Sequence, residues 1–339
     1  MAIVPIPHVG DLPSGRLGSI SDVPGVTVGH CTLAQGGCQT GVTVVLPHGR
    51  DLFLEKVPAA ATILNGFGKS AGLLQLMELG VLETPIALTN TFSVGALVQA
   101  QIRQAVARHA QIGRCWPTVN PLVLECNDGF LNDIQAMAVT DEHYLEACRT
   151  ASDQVLQGAV GAGRGMSCFG LKGGIGSASR LCPLPGGRSF TVGALVLANF
   201  GLPGALCFGG LRVGPEAEGG GEPEKGSIIM LLATDAPLDG RQLRRLSLRA
   251  AAGLARTGSF YGHESGDLAV AFSTRYTLAP EPGAEPALAM LHESRLDPLF
   301  RAAADSTEQA ILNALWHAET VVGRDGHRRQ GLRERLGTR

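Results

Sequence analysis

Apolar positions along the chain fall into short blocks of two kinds, and the kinds alternate. Val26–Val28 and Gly41–Leu46 are short, Val-rich and bounded by glycine or proline, which predicts strands. Ala59–Leu64 predicts another, running into the turn Asn65-Gly66-Phe67-Gly68. Ala71–Leu79 reads as a helix and Ile86–Leu88 as a strand. Within Ser93–His109, Val94, Leu97, Val98, Ile102 and Val106 recur at helical spacing. Thr118–Glu125 is strand-like, Asp141–Leu156 is helical in pattern, and Thr191–Leu197 is a dense apolar strand leading into Asn199-Phe200-Gly201.

A polar interruption follows. Val213–Gly226 holds five glycines, two prolines and four glutamates, a composition that cannot offset the entropy of ordering by burial. Beyond it, Ser227–Thr234 is an apolar strand. Asp239–Thr257 is predicted as one helix striped by Leu243, Leu246, Ala250 and Leu254, with Gly258 suited to the position after its end. Leu268–Phe272 is another strand. Ser306-Thr307-Glu308-Gln309 has the form of a capping box opening a helix through Val322, and the arginine-rich tail from Arg324 to Arg339 reads as a solvated, frayed end. Strands and helices without a strict βαβ repeat predict an α+β fold or layered sandwich.

Composition narrows the function classes. The 339 residues are 45% hydrophobic and 17% charged, enough to bury a sizeable core. A net charge of −2 gives no electrostatic case for nucleic acid or for an anionic membrane. No run of about 18 apolar residues is present, and the first residues lack a secretory pattern, so a cytoplasmic protein is expected. The eight cysteines include no CxxC and have no zinc-finger spacing to histidine, which favours reduced thiols over a metal site or a disulfide framework. Cys168 is a candidate nucleophile, but a buried Cys ordinarily serves as a small hydrophobe. Lys172, among glycines, does not fit the phosphate-cradle spacing GxxxxGK[ST].

One dipeptide offers chemistry. Gly226-Ser227 lies where the glycine-acid stretch meets the apolar strand. A bare Gly-Ser is ordinarily a loop, and others occur at 18–19, 176–177 and 258–259. Here the serine could attack the carbonyl before it, cut the chain and emerge with hydroxyl and α-amine on one residue. Such an amine, with a reference pKa of about 7.7–8.0, can act as its own general base near neutral pH. No Gly-x-Ser-x-Gly elbow supplies an alternative, and His263 is the one histidine near the later candidates. Ser265 and Asp267 flank one glycine, so an extended backbone would aim both at one side; a turn with Asp capping its own backbone is the plainer alternative. Asn199, at a strand end, could donate to an oxyanion or simply make a turn.

Taken in order, several blocks resemble one family. They are Ile20–His30, Thr84–Thr91, Glu125–Asp133, Lys172–Arg180, Gly226-Ser227, Gly266-Asp267 and Ala271–Thr274. Together they resemble the self-processing serine peptidases that include the L-aminopeptidase/D-amidase-esterases and the β-peptidyl aminopeptidases, over about residues 16–326. The resemblance implies a four-layer αββα sandwich, like the N-terminal-nucleophile hydrolases but differently connected. It implies one domain, 1–339, cut at Gly226-Ser227 into 1–226 and 227–339. Ser227 is then the nucleophile, Ser265 and Asp267 its orienting partners, Asn199 the oxyanion donor, and Glu125 the acid that binds a substrate ammonium. No cofactor or metal is implied. Substrates would be short peptides, amino acid amides or esters with a free N-terminus, including β-aminoacyl or D-residue forms, and the cleaved units would form a homotetramer. Asn127 stands where the D-amidase-like members have Tyr, which with Asn65-Gly-Phe-Gly-Lys69 leans toward the β-aminopeptidase branch. The alternatives are an acyltransferase of the ornithine-acetyltransferase type, whose new N-terminus is Thr, and an unprocessed, non-catalytic relative.

Overall fold

A computed structural model describes residues 6–215, 225–279 and 290–337, with the backbone alone at 225. Most of the glycine-acid stretch, 216–224, lies outside the described residues. Ten strands build the two main sheets. They are β1 (Thr27–Gln35), β2 (Cys38–Leu46), β3 (Val57–Gly66), β4 (Val81–Leu82), β5 (Ile86–Asn90), β6 (Leu122–Cys126), β7 (Gly174–Pro183), β8 (Ser189–Asn199), β9 (Lys225–Thr234) and β10 (Glu264–Ser273). The first sheet has order β1-β2-β5-β6 and the second β4-β3-β10-β9-β8-β7. Six principal helices accompany them: α1 (Leu73–Leu79), α2 (Val94–Arg108), α3 (Asp141–Arg149), α4 (Gly240–Ser247), α5 (Ala250–Arg256) and α6 (Asp297–His317).

Side-chain alternation explains the layering. Along β9, Ile229, Leu231 and Ala233 join β2, β5 and β6 residues such as Val45, Leu88 and Leu124 in the core between the sheets. Their neighbours Ile228, Met230 and Leu232 point the other way, to Leu243, Leu254 and Leu315 of α4, α5 and α6. On the first sheet, Val42, Val44 and Val123 pack instead on Leu97 of α2 and Ala147 of α3. Strands apolar on both faces are what a doubly covered sheet requires. The result is α2/α3, sheet, sheet, α4–α6: the expected αββα sandwich.

Several boundaries differ from the sequence pattern, each for a local reason. The helix predicted over Asp141–Leu156 stops at Arg149, because Ser152 exchanges backbone hydrogen bonds with Val28 and extends the sheet edge. The predicted helix Asp239–Thr257 is two helices, interrupted at Leu248-Arg249, although Gly258 does follow its end with φ +108°. The apparent capping box is not one. Ser306, Thr307 and Gln309 lie inside α6, which opens at Asp297-Pro298 and closes at His317. There Thr307 Oγ1 back-bonds to Ala303 O at 2.8 Å, and Gln309 Oε1 accepts from Val9 N at 2.9 Å. The strand β7 was hidden by its glycines. The tail is not frayed throughout: Arg328-Arg329 pairs with Val321-Val322, and Leu332 is buried.

Among the described residues no helix is long and apolar enough to cross a membrane. The start of α4 is fixed by Asp239, whose carboxylate accepts from Gln242 N at 2.7 Å. Asp239→Ala should therefore lower stability by about 1 kcal/mol in denaturant titrations. An unchanged midpoint would show that this cap contributes nothing.

Candidate active site

The centre of the second sheet brings Ser227 and Asn199 into one row, with Ser265 and Asp267 flanking it on the next strand. Ser227 of β9 pairs with Asn199 of antiparallel β8 on one side and Gly266 of parallel β10 on the other. Gly266 in turn faces Gly66 at the end of β3. Ser227 shares the parity of Ile229 and Leu231, so its side chain lies at the mouth between the two sheets.

Ser227 is 7% exposed, and its hydroxyl donates to the carbonyl oxygen of Gly226 at 2.7 Å. Gly266 N donates to Ser227 Oγ at 3.2 Å. Gly226 has φ +130°, and a Cβ added there would stand 2.1 Å from Asn199 O, so only glycine fits before the serine. On β10, Ser265 Oγ donates to Asp267 Oδ1 at 2.6 Å, both residues being buried. The backbone is extended, as the shared-side reading requires, and the turn alternative does not hold. Asn65 Nδ2 anchors the approach to this strand by donating to Gly262 O at 2.9 Å and His263 O at 3.0 Å. His263 itself is exposed, its ring 6.5 Å from that of Phe67.

Asn199 is held at both ends of its amide. Oδ1 accepts from Ser167 N at 2.8 Å, and Nδ2 donates to Asn127 O at 2.9 Å. The first bond fixes which end donates, and Nδ2 keeps a second hydrogen. Glu125, at the end of β6, is 2% exposed. Its Oε1 accepts from Lys69 N at 2.7 Å and its Oε2 from the Thr91 hydroxyl. Among the described residues no cation pairs with it. Gly68 lies between it and the serine: a Cβ there would sit 3.5 Å from Glu125 Oε1 and 3.8 Å from Gly266 Cα.

Other candidates lie elsewhere. Cys168 is buried in the core with Phe169 and Phe200. Lys172 is buried, and its ammonium donates to Gly163 O at 2.8 Å, Met166 O at 2.9 Å and Gly173 O at 2.8 Å, so it is spent on carbonyls. Among the described residues no group of three or more His, Cys, Asp or Glu could hold a metal ion. Sequence reasoning missed the holders Asn65, Thr91 and Ser167. Asn65 and Thr91 stood inside blocks already singled out, whereas Ser167 had only a glycine-rich context and no spacing to mark it.

A doubly covered sandwich with a serine near the start of a central strand is the architecture of serine hydrolases akin to the N-terminal-nucleophile type. Comparison narrows this class. The description of Peptidase family S58 matches residues 18–329, and the chain belongs to that family. It is an aminopeptidase, and so a hydrolase. It is 38% identical to the β-peptidyl aminopeptidase BapA of Sphingosinicella microcystinivorans, across 94% of this chain and 86% of the relative. A crystal structure of the PH0078 protein from Pyrococcus horikoshii OT3 superposes with TM-score 0.92 at 45% identity, covering 98% of this chain and 96% of the other. The L-aminopeptidase D-Ala-esterase/amidase of Ochrobactrum anthropi, described as a prototype serine aminopeptidase and a variant of the Ntn hydrolase fold, gives 0.89 at 35% identity, covering 98% and 95%.

The loop after β6 contains a titrating support. Asn132 Nδ2 donates to Asp128 Oδ1 at 3.0 Å. Burial pushes the Asp128 carboxyl up from 3.8 to about 6, against opposing hydrogen bonds from Thr40 and Asn132. A raised carboxyl pKa favours the folded state while the group is protonated; that contribution is full below about 4 and is lost as pH rises through about 6. Relative to Asp128→Asn, the wild type should lose up to about 3 kcal/mol of stability between pH 4 and 7. Denaturant titrations across this range check it, and parallel pH profiles for the two proteins would refute the assignment.

Proposed function

We propose that the chain cuts itself between Gly226 and Ser227 and then acts as an aminopeptidase through the new N-terminal serine. One observation carries the reading: the Ser227 hydroxyl is already 2.7 Å from the carbonyl oxygen of the bond to be cut. Ser227 Oγ bonds to the Gly226 carbonyl carbon, the C–N bond breaks, and the Ser227 nitrogen gains the proton. Water then hydrolyses the ester, leaving a Gly226 carboxylate and a free α-amine. In each later turnover that amine takes the hydroxyl proton, with little entropy spent on bringing base and nucleophile together. Ser265 and Asp267 orient the pair from the adjacent strand. The remaining Nδ2 hydrogen of Asn199 donates to the oxyanion, and loss of such a donor typically costs about 2.7–4 kcal/mol of transition-state stabilisation.

Glu125 supplies the selection for a free N-terminus. A buried carboxylate with two acceptor positions used and no cationic partner among the described residues is well suited to an ammonium. Small β-aminoacyl peptides and amides are the leading substrate class. The likeness to BapA and the presence of Asn127 support this over D-residue substrates. The cleaved units are taken to assemble as a homotetramer, for which the exposed Leu74, Met77 and Leu79 of α1 offer apolar surface.

A panel of β-alanyl, L-alanyl and D-alanyl p-nitroanilides tests the assignment. Ser227→Ala should abolish turnover, and Glu125→Gln should raise KM for the β-alanyl anilide by about tenfold or more. Turnover that survives in Ser227→Ala would defeat the nucleophile assignment.

A further inference from the structure

The C-terminal segment brings Arg324 and Arg329 against the loop that follows β6. Arg324 Nε donates to Gly129 O at 2.8 Å, and its Nη1 pairs with Asp325 at 2.7 Å. Arg328 pairs with Glu334 at 2.7 Å. Arg329 differs. Among the described residues it has no carboxylate partner, and its guanidinium carbon lies 3.6 Å from the centre of the Phe130 ring. Its single side-chain hydrogen bond among these residues runs from Nε to Ser167 Oγ at 3.1 Å. Burial alone holds its pKa below the usual arginine value, with no carboxylate opposing the shift.

Ser167 is the residue whose N–H holds Asn199 Oδ1 at 2.8 Å. Arg329 is thus one residue removed from the amide beside Ser227. Along the row β3-β10-β9-β8, Glu125 attaches at the β3 end, through Lys69 N just beyond that strand. Arg329 attaches at the β8 end, through Ser167. Ser227 lies between them. The row therefore meets a carboxylate at one end and a guanidinium at the other, each without an opposite charge among the described residues, and the terminal guanidinium nitrogens hold no hydrogen bond among them. A guanidinium presents its donors as a planar fork that matches a carboxylate, and stacking on an aromatic ring fixes the plane of that fork.

We infer that Arg329 binds the C-terminal carboxylate of the leaving amino acid, so that the site is built for free dipeptides. Glu125 holds the ammonium end, Ser227 meets the single amide, and Arg329 holds the carboxylate end. This rests on the aminopeptidase reading above. It goes further by distinguishing a dipeptide from its amide or anilide, which share the ammonium and the scissile bond but lack the carboxylate.

The test uses the full processed protein and three substrates: β-alanyl-leucine, its C-terminal amide and β-alanyl p-nitroanilide. Wild type should favour the free dipeptide over its amide by about tenfold or more in kcat/KM. Arg329→Gln should lower kcat/KM for the free dipeptide by about 10–100-fold, mainly through KM, while changing the amide and anilide by no more than about twofold. Arg329→Lys, which keeps the charge, should recover part of the loss. An equal loss on all three substrates would assign Arg329 a structural role and overturn the inference, as would an undiminished rate on the dipeptide. Absence of turnover of any of the three by wild type would defeat the aminopeptidase reading and this inference with it.

Discussion

The pairing of β9 between β8 and β10 is the constraint on which the rest depends. Ser227 faces Asn199 on one side and Gly266 on the other, and no loop intervenes. The hydroxyl is therefore positioned by sheet hydrogen bonds that continue through Thr234, in a strand buried on both faces. A site built on strands holds its geometry more tightly than one built on loops. The same pairing fixes Ser265 and Asp267, because Gly226 lies opposite Ser265 and Ile228 opposite Asp267. Glycine at 226 completes the arrangement: its φ is +130°, and the close Asn199 carbonyl leaves no room for a side chain.

Charge is distributed around that row with little internal compensation. Glu125 accepts two hydrogen bonds but meets no cation among the described residues, and Arg329 meets no carboxylate among them. Burying a charge without a partner is unfavourable, which applies fully to Glu125, at 2% exposed, and less to the half-buried Arg329. Lys172 offers the contrast. It is as deeply buried as Glu125, yet three carbonyls satisfy it, and it supports the backbone around residues 163–173.

Much of this was legible in the sequence, and the limits have physical causes. Strands apolar on both faces stood out as dense runs, so β8, β9 and β10 were readable. β7 was not, because Gly174 and Gly176 interrupt its apolar pattern where it is closely packed: a Cβ at Gly176 would stand 1.9 Å from Ala310 O of α6. The false capping box arose because Ser, Thr and Gln can also serve within a helix when their side chains find distant partners, as Gln309 does at Val9. At the site, Ser227, Ser265, Asp267, Asn199 and Glu125 were named from short motifs in order. Ser167 and Arg329 were not: Ser167 meets Asn199 only through a long-range backbone contact, and Arg329 reaches Ser167 only once the C-terminal segment has packed beside Phe130.

In the proposed mechanism Ser227 becomes an N-terminal residue before it acts on a substrate. N-terminal sequencing and intact-mass measurement of the purified active protein test this most directly. The expected result is two chains, 1–226 and a second beginning at Ser227, with Ser227→Ala remaining a single full-length chain. A wild-type protein that turns over amides while the Gly226–Ser227 bond is intact would contradict it.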